Sequence, residues 1–259
     1  MVDAGIRLLS LMNQLAHAGQ QVLLQFEQGS EEVSSYLNRI GFFDLLHPSV
    51  TTSPSRPSES AAAFFAGTNP GVVELSRICP TERDHSIPSQ LANAIEQACS
   101  ERSDCATLGL AAFTLFAELV GNIYEHSGTQ IDGYAALQLY RNGGSVIAVV
   151  SDSGNGILET LRPSLAGTAL ATYADADLVI HMLNRGISRF GAGRGCGLHQ
   201  CARHALKYGA ELTLRLPNSS LRLVPSGNGY QATGYTMTEL PHLRGTHIAF
   251  KFQLGSTPG

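Results

Sequence analysis

Two polar side chains, Glu118 and Asn122, interrupt an otherwise apolar stretch that runs from residue 108 to residue 126. The stretch contains no proline and its apolar residues recur at helical spacing, so we predict one helix. Since the two polar groups are one turn apart, they lie on the same helix face. A carboxylate and a carboxamide are costly to bury without partners. The pair therefore indicates either local hydrogen bonds or a metal and nucleotide site, in which Asn122 gives the metal an oxygen and Glu118 holds a water.

Two later glycine-rich stretches also carry groups that suit a nucleotide. The first, Asp152-Ser153-Gly154-Asn155-Gly156-Ile157, follows an apolar run that predicts a strand. The second, Gly191-Ala192-Gly193-Arg194-Gly195-Cys196-Gly197-Leu198, opens a predicted helix. Consecutive N–H groups in such a loop, beside the positive end of a helix, form a nest that binds phosphate. Each stretch alone is weak evidence, because the first is commonly a surface turn and the second fits neither a P-loop nor a dinucleotide fingerprint.

Taken in order, the three stretches resemble the N, G1 and G2 boxes of the GHKL ATPases, the superfamily that includes gyrase, histidine kinases and anti-sigma-factor serine kinases. The patterns E-x-x-x-N, D-x-G-x-G-I and G-x-G-x-G-L are all intact, each in its expected strand or helix context. Gly245-Thr246, just before the last predicted strand, resembles the G3 element of the same family. The chain is therefore similar to a histidine-kinase-like ATPase (HATPase) domain, with anti-sigma-factor serine kinases as the nearest type.

This resemblance implies a site for ATP and Mg²⁺. Asp152 accepts a hydrogen bond from the adenine amino group, and Thr246 orients a neighbouring water. Asn122 is the magnesium ligand, and Glu118 is the catalytic group that orients or deprotonates a water or a serine hydroxyl. The other nucleotide-binding residues implied are Gly154, Gly156, Ile157, Gly191, Gly193, Arg194, Gly195, Gly197 and Leu198. Glu125 and His126 lie one turn beyond Asn122, and His126 equally suits a carbonyl hydrogen bond at the helix end.

The resemblance also implies an α+β fold, a two-layer α/β sandwich (the Bergerat ATP-binding fold) over residues 70–254. Periodicity predicts strands and helices that suit it. The predicted strands cover 72–78, 134–140, 145–150, 211–216, 221–224, 230–236 and 246–252, the last four as an antiparallel meander. The predicted helices besides 108–126 cover 87–99 and 198–208. Segment 158–190 corresponds to the ATP lid, with a helix at 176–184 and with Arg185 and Arg189 as further phosphate candidates.

Residues 1–46 are predicted to form a small αβα segment: a helix at 6–18, a strand at 21–26 and a second helix after Ser30. This order resembles the C-terminal half of a STAS domain, the partner fold of anti-sigma kinases. Because the earlier strands of that fold are missing, we expect at most a STAS-like remnant, or a start codon that has been placed late. Ala4 stands where the phosphorylatable serine belongs, so we do not expect a phospho-acceptor role. The plainer interpretation is an appendage packed on the ATPase domain. Residues 47–69, which begin with a Pro- and Ser-rich run, are expected to be a linker.

Composition restricts the partners and the compartment. The net charge of −4 gives no bulk attraction to nucleic acid or to an anionic membrane. We find no apolar run of transmembrane length and no signal peptide. The cysteines, at positions 79, 99, 105, 196 and 201, include no C-x-x-C pair, which favours reduced thiols in a cytoplasm. Cys196 and Cys201, with His199 and His204, match no usual zinc spacing, so we expect small side chains in a loop and a helix.

We therefore expect a cytoplasmic bacterial regulator that binds Mg-ATP and acts as an ATPase or as a serine kinase of the anti-sigma type. A protein partner is expected, and many relatives in this superfamily form homodimers. The first alternative is a nucleotide-gated protein-interaction module with little turnover. The second is an ATPase effector of a multi-gene system such as phage defence. Turnover by the purified protein separates the leading function from the first alternative, and the gene neighbourhood bears on the second.

Overall fold

The computed structural model describes residues 1–69, 71–187, 197–233 and 240–255. The α-helices are α1 Val2–His17, α2 Glu31–Arg39, α3 Phe42–Leu45, α4 Ala61–Phe65, α5 Ser86–Ala98, α6 Cys105–His126, α7 Ile157–Leu161, α8 Asp175–Arg185 and α9 Gly197–Lys207. The strands are β1 Leu23–Gln25, β2 Thr51–Ser53, β3 Val72–Ile78, β4 Gly133–Tyr140, β5 Ser145–Ser151, β6 Glu211–Arg215, β7 Ser220–Ser226, β8 Gly229–Ala232 and β9 His247–Gln253. Short 3₁₀ turns occupy Arg141–Gly143, Arg162–Leu165 and Ala169–Thr172.

A seven-stranded sheet in the order β3-β4-β5-β9-β6-β7-β8 forms the centre of the protein. Each neighbouring pair in it is antiparallel. The predicted α+β class is confirmed. β4 and β5, both predicted as strands, pair as a hairpin with Leu137 opposite Ala148. A separate two-stranded sheet pairs β1 with β2 in parallel.

The position of β9 differs from the predicted meander. β6, β7 and β8 follow one another as expected, but β9 returns to the middle of the sheet and pairs with both β5 and β6. Its first four residues, from His247 to Phe250, are all buried, which is the pattern of a strand covered on both faces. As a result, the segment just before β9 lies beside the residues that follow β5.

Four helices, α5, α6, α8 and α9, cover one face of the sheet and enclose the main apolar core. α6 is in the middle of this layer, between α5 and α9, and the Phe116 ring packs edge-on against Phe250 of β9. Contrary to the sequence expectation, the part of α6 from Cys105 to Glu125 is long and apolar enough to cross a membrane, by length and composition only. α6 packs against two helices and the sheet, and 44% of this stretch is buried.

The N-terminal segment covers the opposite face of the sheet. Val2, Ile6 and Leu9 of α1 pack in a second apolar cluster with Tyr134, Ala136, Val149 and Ala249 from the central strands. The central strands therefore have helices on both faces: α5, α6, α8 and α9 on one face and the N-terminal segment on the other. The reason lies in the strand sequences, which are apolar on both faces at these positions and so require a second cover.

Residues 47–69 differ from the irregular linker that we expected. They contain β2 and α4, and Val50 is buried. The Arg56 guanidinium donates hydrogen bonds to the carbonyl oxygens of Leu46, His47 and Val50, at 3.0, 2.6 and 2.6 Å. One cation thus binds three carbonyl oxygens and ties the middle of the segment back to its start.

Much of the segment expected to be a lid is packed in the core. The predicted helix is present as α8, but its residues Leu178, Val179, Met182 and Leu183 are buried in the main apolar cluster. The Asn184 side chain also donates to the Tyr230 carbonyl and accepts from the Tyr230 N–H, at 2.8 and 2.7 Å. α8 is therefore held to β8 and is not a segment free to close over a ligand. Residues 188–190 of the expected lid lie outside the described residues.

Candidate functional site

The end of α6 contacts the loop that follows β5. The Asn155 N–H donates to the carbonyl oxygen of Ser127, the residue after α6, at 3.0 Å. Gly154 lies so close to the same residue that a Cβ on it would be 2.0 Å from the Ser127 oxygen. A side chain at Gly154 would therefore separate the loop from the helix. Asn122 lies a little over one turn before this junction, so the predicted N and G1 boxes are neighbours in space.

Asp152 is half-buried at the start of this loop, and one of its carboxylate oxygens is already bonded. Oδ1 accepts from the Gly154 N–H at 2.9 Å. Within the described ranges no donor reaches the other oxygen, Oδ2. Burial raises the pKa of Asp152, while the Gly154 N–H and the charge of Arg244 act in the opposite direction. The side chain thus presents one carboxylate oxygen, in partly dry surroundings, to a hydrogen-bond donor.

Gly245 and Thr246 complete this part of the site from the other side. The Asp152 N–H donates to the Thr246 carbonyl at 3.0 Å, and the Ile157 N–H donates to the Thr246 hydroxyl oxygen at 2.9 Å. The Thr246 hydroxyl proton is then available to a further acceptor. Gly245 has φ = +90°, and a Cβ on it would be 1.9 Å from the Asp152 carbonyl oxygen. Only glycine allows the two segments to approach this closely.

Ser153 carries a polar atom with no partner in the described part of the chain. Its hydroxyl is fully buried, with the residue 0% exposed, and no described group bonds it. Buried hydroxyls are nearly always hydrogen-bonded, and ordered water commonly supplies the missing partner. The Ser153 hydroxyl, on the residue next to Asp152, therefore suits a site in which an ordered water binds.

Glu118 lies against the first residue of α9. A Cβ on Gly197 would be 1.7 Å from Glu118 Oε1, so the carboxylate occupies the space that a side chain there would fill. The positive end of a helix favours such a negative charge. Beneath it, Cys201 is buried, and burial together with the Glu118 charge raises the pKa of its thiol. The predicted N and G2 boxes are thus in contact through Glu118 and Gly197.

A pocket of about 360 Å³ opens on the outer face of α6, within the size range of small-ligand sites. Glu118 and Asn122 line it, together with Phe113. Arg83 and His85, from the loop between β3 and α5, line it as well. Asp152, Gly154 and Thr246 are not among its lining residues. The pocket therefore lies at the Glu118 and Asn122 end of the predicted site and not at the Asp152 end.

The sequence interpretation did not consider two arginines, Arg83 and Arg244, that lie beside the candidate site. Arg83 lies 5.5 Å from the Tyr124 ring centre and 3.7 Å from the Glu125 carboxylate, which places its charge beside the pocket. The Tyr124 hydroxyl accepts from the Asp84 N–H at 2.9 Å and so fixes the loop that carries Arg83. Arg244 Nη2 is 3.5 Å from Asn155 Oδ1. The one sequence signal for these arginines was their position between regular elements, because loops there commonly carry functional groups.

Several predicted site residues remain without a structural account. Gly191, Gly193, Arg194 and Gly195 lie outside the described residues, as do Arg189, Cys196 and the His126 side chain. Leu198 packs in the main core, and Arg185 is the last residue of α8.

The donors that could hold a metal are few in the described part of the chain. There, no group of three or more His, Cys, Asp or Glu side chains is placed to bind one, and Asn122 offers one carboxamide oxygen. His199 Nδ1 is 2.6 Å from the Leu183 carbonyl oxygen, to which it donates. The Cys201 thiol donates to the Leu115 carbonyl at 3.5 Å. A cation at Asn122 would therefore need most of its oxygens from a ligand and from water, as Mg²⁺ commonly does.

Comparisons with models of protein families, with curated proteins and with solved structures give no match for this chain.

Proposed function

We propose that the chain binds Mg-ATP through a GHKL domain with the Bergerat fold. The observation that carries the proposal is the meeting of stretches that are far apart in sequence. The loop after β5 lies on the end of α6, Gly245 and Thr246 lie on that loop, and Gly197 lies on Glu118. These contacts join the four stretches that resemble the N, G1, G3 and G2 elements of the GHKL superfamily. If the four short patterns matched by accident, the residues that carry them would not need to lie next to one another in the fold.

At the base end, Asp152 is the group that selects adenine. Its Oδ2 accepts from the exocyclic amino group, while Oδ1 remains bonded to Gly154. A water bonded to the Thr246 hydroxyl and to Ser153 would complete recognition of the ring and would satisfy the buried Ser153 oxygen. A carboxylate favours adenine over guanine, because guanine presents an acceptor, O6, where adenine presents a donor.

At the phosphate end, Asn122 and the start of α9 are the residues suited to hold the metal and the phosphates. Asn122 offers one carboxamide oxygen to Mg²⁺, and phosphates and water would provide the rest. The first N–H groups of α9 suit anionic oxygens, and Arg83 adds a positive charge beside the pocket. Magnesium, when bound, neutralises phosphate charge.

Glu118 supports catalysis at this end of the site. It lies one turn before Asn122, lines the pocket and is solvent-exposed, so its carboxylate can orient or deprotonate a nucleophile. With water as the nucleophile the protein is an ATPase, and with a serine hydroxyl it is a protein kinase. The STAS-like order of the N-terminal elements favours a cytoplasmic regulator of the anti-sigma type.

Binding of MgATP to the wild-type protein, measured by calorimetry, tests the proposal. Asp152→Ala should abolish binding while the melting temperature stays close to wild type. Asp44→Ala is the matched control, since the Asp44 carboxylate accepts from the Ser60 hydroxyl at 2.6 Å and lies on α3, which carries none of the proposed site residues. It should bind ATP as the wild type does. Equal affinity of a folded Asp152→Ala protein would remove the adenine assignment, and no binding by the wild type would remove the function.

Turnover decides what the bound ATP is used for. In a single-turnover experiment with radiolabelled ATP, released phosphate indicates an ATPase, and label transferred to protein indicates a kinase. ATP that binds but is neither hydrolysed nor transferred, with or without candidate partner proteins, would assign the chain to nucleotide-gated interaction modules.

A further inference from the structure

α1 carries three buried polar side chains, Ser10, Asn13 and Gln14, on the face that packs against the sheet. Positions that face a core are normally apolar, and buried polar groups are retained only where partners satisfy them. All three have partners. Asn13 donates to the Tyr134 hydroxyl at 2.6 Å and to the Leu45 carbonyl at 2.9 Å. The hydrogen bonds of Ser10 and Gln14 instead connect α1 to the segment 244–246.

Gln14 holds the backbone of Arg244 with both ends of its amide. Its Nε2 donates to the Arg244 carbonyl at 3.0 Å, and its Oε1 accepts from the Arg244 N–H at 2.9 Å. This is the pattern by which a neighbouring strand would hold a residue, here supplied by one side chain. It fixes the residue immediately before Gly245.

Ser10 reaches the same carbonyl through a chain of buried hydrogen bonds. Ser10 Oγ is 2.9 Å from Ser151 Oγ, which is 2.5 Å from His247 Nδ1, and His247 Nε2 is 3.1 Å from the Arg244 carbonyl oxygen. A carbonyl can only accept, so Nε2 carries the proton. Since burial keeps the ring neutral, Nδ1 must accept. Ser151 therefore donates to His247, and Ser10 donates to Ser151.

The two sets of hydrogen bonds converge on one carbonyl that lies next to the base end of the site. The Arg244 oxygen accepts from both Gln14 and His247. Ser151 directly precedes Asp152, and His247 directly follows Thr246. Removing these bonds would free the backbone on both sides of the close contact between Gly245 and Asp152, without altering any group that faces the phosphates.

We propose that Gln14 and the Ser10–Ser151–His247 chain are positioning residues that hold residues 244–246 in the shape that binds adenine. The N-terminal helix is then a working part of the nucleotide site. This inference rests on the proposed function, and it adds that the base end depends on α1 while the phosphate end does not.

The test compares ATP with inorganic tripolyphosphate, which has phosphates but no base. Gln14→Met keeps the length of the side chain and removes both hydrogen bonds. We expect its affinity for MgATP to fall about tenfold, the scale of one or two lost hydrogen bonds, and its affinity for magnesium tripolyphosphate to stay within about twofold. Ser10→Ala, a smaller change that preserves the packing of α1, should shift the two affinities in the same unequal way.

Asn13→Leu is the matched control. It also removes a buried amide from α1, but the partners of Asn13 do not include residues 244–246. It should lower the melting temperature and leave the affinity for ATP unchanged. Hydrogen exchange of the backbone around residues 244–246 should rise in Gln14→Met and not in Asn13→Leu.

Three results would overturn the inference: equal losses for ATP and tripolyphosphate, an equal loss of ATP affinity in Asn13→Leu, or unchanged hydrogen exchange in Gln14→Met. If the wild type binds ATP in an Asp152-dependent manner and the Gln14 and Ser10 variants match it, the inference fails while the proposed function stands. If the wild type does not bind ATP, both fail.

Discussion

His247 provides a quantitative test of the buried hydrogen-bond chain, because its protonation is coupled to folding. The side chain is 2% exposed, and burial lowers its pKa to about 3 from an ordinary value of 6.5. The nearby charges of Arg215 and Arg7 act in the same direction, and the hydrogen bond to the Arg244 carbonyl opposes them. The unfolded chain takes up a proton near pH 6.5, whereas the folded protein resists protonation down to about pH 3. Stability is therefore lost as the pH falls through this window.

The size of the effect follows from the same values. Well below pH 6.5 each pH unit removes about 1.4 kcal/mol from the free energy of unfolding, and the fall from pH 7.5 to pH 5.0 removes about 2 kcal/mol in all. His247→Asn lacks this titration. At pH 7.5 we expect the variant to be about 1–3 kcal/mol less stable than wild type, because Ser151 and Arg244 lose a buried partner.

Urea denaturation of both proteins between pH 7.5 and pH 5.0 measures this difference. Other titrating groups are common to the two chains, so they largely cancel. The stability advantage of the wild type should shrink by about 2 kcal/mol as the pH falls to 5.0. An advantage that stays constant with pH would show that His247 is not held neutral in the fold, and would remove the directed chain from Ser10 to Arg244.

The remaining predictions concern the phosphate end of the site. Asn122→Ala should weaken ATP binding more in the presence of Mg²⁺ than in its absence, and equal losses in titrations with and without the metal would make Asn122 a structural residue only. Glu118→Gln should retain ATP affinity and lower the single-turnover rate by about 10²–10⁴-fold, the usual contribution of a positioned general base. A variant that turns over as fast as an active wild type would exclude Glu118 as the base and make Glu125 the next residue to test.

The regular elements of the fold could be predicted well from periodicity. α6, the β4–β5 hairpin and α9 all lie within a few residues of their predicted bounds, because each has a long apolar pattern of one period. The insertion of β9 between β5 and β6 was not predictable in this way, since periodicity shows that a strand is buried but not which strands it pairs with. That α1 covers the second face of the sheet was not predictable for the same reason, because local periodicity does not show which distant elements pack together.

The candidate site was predictable only where residue type and order carry the signal. Glu118, Asn122, Asp152 and Thr246 were selected from short patterns. The roles of Gln14 and Arg244 were not, because a glutamine on a helix and an arginine in a loop have no local signature of their contact. The helix α8 was predicted, but its packing in the core was not, because the segment that contains it resembles the ATP lid.

The central claim is that Asp152 reads the amino group of adenine. The most direct measurement is the ratio of affinities for ATP and GTP in the wild type and in Asp152→Asn, by calorimetry at one Mg²⁺ concentration. The wild type should prefer ATP by about 10- to 100-fold, the range expected for one hydrogen bond to a charged group. The asparagine side chain can donate to guanine O6 as well as accept from adenine, so the variant should lose most of that preference. A wild type without preference, or a folded variant that keeps the wild-type ratio, would contradict the claim.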